Sequence, residues 1–168
     1  MKLAHRLAAA TVLAALVAAP AYAKPKGADL DFMTTAAQAG MAEVAAGQLA
    51  QTKAANADVK AFAAQMVTDH TKANQELMDL AAKLKVGLPK QTDKKHAKAL
   101  EKMKGLAPAA LDKAYVRAQV EDHKAAVALF EKESKNGKDT DLKAWATATL
   151  PTLKHHLMMV KDLQAKMK

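Results

Sequence analysis

The amino-acid sequence predicts an all-α fold, a bundle of four long helices, on three observations. The 168-residue chain is 51% hydrophobic but only 4% aromatic. Its apolar residues are mainly Ala and Leu, whereas the strands of a sandwich or barrel want Val, Ile, Thr and aromatics. With 6 Gly and 5 Pro in all, there is little room for phosphate-cradling loops or for disorder. Finally, apolar residues recur at spacings of three and four through four long segments, the period of a helix packed on one face. The length suits one domain with one packed core.

Residues 1–23 read as a secretory signal. Lys2, His5 and Arg6 make a basic start, Leu7 to Ala19 an apolar run, and Ala21-Tyr22-Ala23 a small-x-small cleavage site. The run is shorter than the ~20 residues that span a bilayer, and Pro20 closes it. Cleavage after Ala23 is expected to leave residues 24–168 as the mature domain, in the periplasm or cell envelope, with no transmembrane segment. The formal charge then falls from +9 to +7, as Lys2 and Arg6 leave with the signal. Arg117 is the one mature arginine, and the lysines are spread along every helix. That is a solvated exterior and not a phosphate-reading surface, so no nucleic-acid partner is expected, while a protein partner is left open. The absence of Cys rules out a disulfide scaffold, a thiolate metal site, a cysteine nucleophile and a lipid-anchored start.

The first long helix is expected from Ala28 to Ala54 and the second from Asn56 to Lys85, capped by Asn56 or Asp58 and ended by Gly87 and Pro89. The third runs from Pro108, suited to a first turn, to Lys135, with Asn136-Gly137 beyond it. Asp139 or Asp141 caps the fourth, which extends to Met167. The roughly twenty residues between the second and third are long for a bare loop, and Asp93 to Lys104 is expected to form a short helix closed by Gly105. Connections that are short, long and short make two hairpins joined by a crossover, the ferritin-like form of the four-helix bundle. A short internal repeat agrees: Asp58-Val59-Lys60-Ala61-Phe62-Ala63 opens the second helix and Asp141-Leu142-Lys143-Ala144-Trp145-Ala146 the fourth.

Polar residues interrupt the apolar seams at matching heights. His70 falls in the seam Val59, Phe62, Met66, Ala73, Leu77; His123 in Val116, Val120, Val127, Phe130; His156 in Leu142, Ala146, Leu153, Val160, Leu163. Glu43 is the one charge on the stripe Phe32, Ala36, Ala39, Ala46, Ala50 of the first helix. Each lies about fourteen to seventeen residues into its helix, so antiparallel packing brings all four near mid-bundle. Three neutral imidazoles and a carboxylate match the ligand set of one transition metal such as Zn, Cu, Fe or Mn. The same four groups, hydrogen-bonded to one another without metal, also relieve the cost of burying them. Val67-Thr68-Asp69-His70 and Val120-Glu121-Asp122-His123 share a Val-x-Asp-His pattern. An adjacent Asp points about 100° away around the axis, so Asp69 and Asp122 are candidates to support a histidine on a neighbouring helix, or else rim carboxylates paired with Lys. His155, with Met158 or Met159 at three and four residues on, is an alternative soft copper site, against methionine as ordinary core filler. Pro151 frees the Thr147 carbonyl and is expected to bend the fourth helix.

In the stretches Phe32 to Leu49, Val59 to Leu80, Tyr115 to His123 and Leu150 to His156, the chain resembles a bacterial family of exported proteins of unknown function, often labelled outer-membrane proteins and assigned a ferritin-like fold. The resemblance implies a four-helix fold and an envelope location, and no activity. Di-iron members of the wider fold use Glu-x-x-His on two helices, whereas Val67 and Val120 stand three before His70 and His123. Ferroxidase chemistry is therefore not expected, nor an enzyme of any kind, since no nucleophile-base set stands out. The expectation is an exported bundle whose Glu43/His70/His123/His156 cluster holds one divalent metal; the alternative is a non-metallic structural or stress-related interaction module.

Overall fold

The computed structural model describes residues 24–167; the expected signal and its cleavage site lie outside the described residues. Five helices follow one another: α1 (Ala28–Lys53), α2 (Ala57–Lys83), α3 (Lys94–Lys104), α4 (Pro108–Asn136) and α5 (Thr140–Lys166). There is no strand among the described residues. Side-chain caps set three of the starts. The Asn56 side chain accepts from the N–H groups of Asp58 and Val59, Asp93 from Lys95 and His96, and Asp139 from Leu142. Pro108 occupies the first turn of α4, where a missing N–H costs nothing.

Two ends differ from the simplest sequence rule. α2 stops before Gly87: Lys85 takes the left-handed conformation (φ 56°), the Val86 N–H donates to the Ala81 carbonyl at 2.8 Å, and that of Lys85 to Ala82 at 3.1 Å. This is a Schellman stop with Lys where Gly is usual, and buried Val86 seals it against the core. Gly137 after α4 has an ordinary φ of −53°. There glycine serves space, because a Cβ would sit 2.5 Å from Glu133 Oε1 and 2.7 Å from its carbonyl. α5 runs through Pro151 without interruption.

α1 packs along α2, and α4 along α5; the two hairpins meet through α1 against α4 and α2 against α5, and α3 crosses the α1/α4 side. The small stripe on α1 permits close approach to α2: a Cβ on Gly47 would lie 2.9 Å from Val67 Cγ2 and 3.1 Å from the Ala63 carbonyl. Apolar packing falls into two halves. One gathers Phe32, Met33, Leu77, Leu84, Phe130 and Leu142 at the end where α1 and α5 begin. The other gathers Ala50, Val59, Phe62, Met66, Tyr115 and Val160 at the opposite end. His70, His123 and His156 fall between these sets along α2, α4 and α5.

Each hairpin turn is closed by a buried carboxylate from the other hairpin. Asp29 of α1 accepts from the N–H groups of Lys138 and Asp139, in the α4–α5 turn, at 2.8 to 3.2 Å. Asp112 of α4 accepts from Ala55 and Asn56, in the α1–α2 turn, at 3.0 and 2.9 Å.

Candidate metal centre

Three helices bring one histidine each to the middle of the molecule. His70, His123 and His156 are all buried, with ring centroids 5.4 to 5.5 Å apart. One ring nitrogen from each lies within 4.8 Å of the others. Tetrahedral zinc bonded to imidazoles at ~2.0–2.1 Å has its nitrogens roughly 3.3 Å apart, so the three rings would have to draw closer around an ion.

Two of the three rings are anchored through their other nitrogen. His156 Nε2 sits 2.8 Å from Asp69 Oδ2, and His123 Nδ1 is 3.0 Å from the Gln119 carbonyl, to which it can donate. What remains are His70 Nε2, His123 Nε2 and His156 Nδ1, three buried nitrogens with no hydrogen-bond partner. Orphaned polar atoms are rare in protein interiors and each calls for a physical account. Imidazoles held from behind by a carboxylate or carbonyl, with the inner nitrogen free, are the usual setting of metal-bound histidine.

Burial keeps these rings neutral and so able to donate a lone pair. His70 is pushed down to about 3 by burial, with His123 and His156 as neighbours acting the same way. His123 is lowered to about 4 by burial and by His156. Burial also lowers His156, against the opposing pull of Asp69. Asp69 itself is held below its ordinary value: burial works to raise it, and hydrogen bonds from Gln65 and His156 outweigh that.

The other expected site residues are placed differently. Glu43 is buried at the same level, but its Oε2 accepts from Gln119 Nε2 at 2.5 Å. Its Oε1 lies 3.7 Å from His123 Nδ1, the anchored nitrogen, so the carboxylate flanks the three histidines and does not join their group. Burial raises Glu43 to about 7, against the lowering effect of Gln119. Asp69 reaches across to His156 on α5 and not to His70, as the 100° offset requires. Asp122 turns to α3, where its Oδ1 is 3.7 Å from His96 Nε2. His155 is exposed, as is Met158, while Met159 packs against the core.

Sequence reasoning passed over His96. It is hydrogen-bonded through Nδ1 to Asp93, its own helix cap, and faces Asp122. Asp122 first, then Asp93, outweigh burial and raise it to about 9, a cation that ties α3 to α4. The Asp-x-x-His spacing at a helix start was the available signal.

Beside the histidines is a cavity of about 290 Å³, with His70 and His156 in its wall. Leu77, Phe130, Trp145 and Leu153 also line it. Phe32, Phe130 and Trp145 pack edge to face or tilted, with centroids 4.9 to 6.0 Å apart.

Residues 14–163 match the family described as Domain of unknown function (DUF4142). The chain belongs to this family. A solved structure, the crystal structure of a DUF305 fragment from Deinococcus radiodurans, is similar at a TM-score of 0.71 and 11% identity, over 85% of this chain and 99% of that one. At that identity the likeness concerns the fold alone, and it extends the helical architecture of this DUF4142 member to a second family of unknown function. No curated protein matches the chain. Among the described residues, no helix is long and apolar enough to cross a membrane.

Proposed function

We propose that this DUF4142 protein is an exported, ferritin-like four-helix bundle that binds one divalent transition-metal ion on His70, His123 and His156. The observation that carries the reading is the convergence of three buried histidines, one ring nitrogen of each within 4.8 Å of the others, every ring having one partnerless nitrogen and two of the three being anchored by Asp69 and Gln119. A metal-free polar core would pair the imidazoles with one another, and none of these three nitrogens has a protein partner among the described residues. Three imidazoles without thiolate suit Zn, Cu or Fe better than a hard cation. The role is binding and not catalysis. Two antiparallel hairpins with a crossover carrying α3 support the ferritin-like arrangement, and the basic start, apolar run and Ala-Tyr-Ala of residues 1–23 support export to the periplasm or envelope.

Elemental analysis of untagged protein, purified from its native envelope fraction without chelators, tests this reading. About one equivalent of transition metal, absent from a His70→Ala variant, is expected. No metal, together with melting unchanged by added Zn, Cu, Fe or Mn, would overturn it and leave a structural or interaction module. Recovery of the chain with Lys24 at its N-terminus is the expected mark of export, and an intact Met1 in that fraction would refute cleavage.

A further inference from the structure

Building on the metal reading above, we infer that the ion's open coordination position takes a small monocarboxylate with an apolar body, seated in the cavity between the helices. Three histidines leave a tetrahedral ion one position short, as in zinc sites that keep a place for an exogenous ligand. His70 and His156, two of the three ligands, stand in the cavity wall, which puts a space beside the ion.

The shape and the charge of the space specify the guest. Besides the histidines the wall carries the charged Glu43, Asp69, Lys95, His96 and Asp122, and Leu77, Leu153, Phe130 and Trp145 make up much of its apolar part. A 150 Å³ apolar cavity is enough for a benzene-sized guest. About 290 Å³ therefore admits a body and head of roughly ten heavy atoms. Thr35, Ala125 and Thr152 belong both to the lining and to the exposed surface, which gives a guest its way in.

A divalent ion on three neutral imidazoles brings two positive charges. Asp69, bonded to His156, supplies one negative charge, and Asp122 is engaged with His96. Glu43, which accepts from the neutral Gln119, brings a further negative charge, and Lys95, also in the lining, a positive one that offsets it. One positive charge is left in a low-dielectric setting, where uncompensated charge is costly, and a monoanionic head cancels it.

The test uses cobalt(II), whose visible absorption reports its ligands, on the full chain. Titration with 3-phenylpropionate is expected to change the cobalt bands saturably, with a dissociation constant at least about tenfold below that of acetate, which lacks the benzyl group. Ala36→Leu lengthens a side chain in the cavity wall away from the histidines. It is expected to erase the difference between the two acids while leaving cobalt uptake intact. If cobalt binds and the acids act alike on the wild-type chain, or neither acts, the inference is overturned and the metal reading stands. If no cobalt binds, the metal reading fails and this inference with it. The wild-type comparison decides the matter even where Ala36→Leu does not fold.

Discussion

Replacing His123 with Leu separates what the metal centre does from what the core needs. His123 is 1% exposed and its Nε2 has no partner among the described residues. A buried polar atom left unpaired costs ~1–3 kcal/mol, and the lost bond from Nδ1 to the Gln119 carbonyl gives back ~1 kcal/mol, so Leu is expected to stabilise the chain by about 1 kcal/mol at pH 7.5. The pH dependence is sharper. A histidine whose folded pKa is lowered contributes nothing above its unfolded value, where it is neutral in both states. It loses stability as pH falls below that value, because only the unfolded chain takes up the proton. With a folded value of about 4 against 6.5 unfolded, the loss at pH 5 is ~2 kcal/mol. His123 also helps hold down His70, so its removal adds to the variant's advantage in acid. The gain of His123→Leu over wild type should therefore grow from about 1 to about 3 kcal/mol between pH 7.5 and 5. Urea unfolding with a chelator present, at both pH values, reads it. In zinc, the wild type should gain stability and the variant should not. A variant less stable than wild type at both pH values, or one that keeps the zinc response, would refute the reasoning.

Four more outcomes are expected. Asp69→Asn removes the charged support behind His156 and should weaken metal binding ~10–100-fold by competition titration, with the fold intact by circular dichroism. Glu133 is raised to about 7, first by burial and then by Asp29 and Asp139. A raised carboxyl contributes its stability below the unfolded value and loses it as pH climbs through the folded one. Glu133→Gln should thus match wild type near pH 4.5 and exceed it by ~1 kcal/mol at pH 8 in urea melts, a figure discounted for solvent and for nearby Lys132 and Lys143. Gly47→Val drives a side chain into Val67 and the Ala63 carbonyl, and should cost ~2 kcal/mol by thermal unfolding. Lys85→Gly relieves a left-handed lysine and should be neutral or stabilising by up to ~1 kcal/mol; a clear loss would show that the lysine side chain matters more than its backbone.

Much of the architecture was readable because helical information is local. Asn56, Asp93, Pro108 and Asp139 mark starts by chemistry confined to one turn, and each appears where the sequence placed it. The histidines were readable because each breaks an otherwise apolar seam at the same height. Glu43 was less so. α1 is so rich in Ala and Gly that its rotation about the axis is weakly fixed by pattern, and the carboxylate's partner is Gln119, on a distant helix. His96 escaped notice because its second partner, Asp122, arrives only once α3 lies across the bundle. The end of α2 was misplaced because a left-handed Lys85 is unusual, and the pattern gives no warning when glycine stands two residues further on.

The exchanged carboxylates Asp29 and Asp112 make each hairpin depend on the other. Each hairpin leaves its own turn unclosed and carries the acid that closes the turn of the other. Two copies of a single hairpin, set about a twofold axis, would complete one another in the same way. The repeated Asp-x-Lys-Ala-aromatic-Ala at the starts of α2 and α5 gives the second helix of each hairpin the same opening. Either half expressed alone should recover its missing clasp by pairing with a second copy of itself.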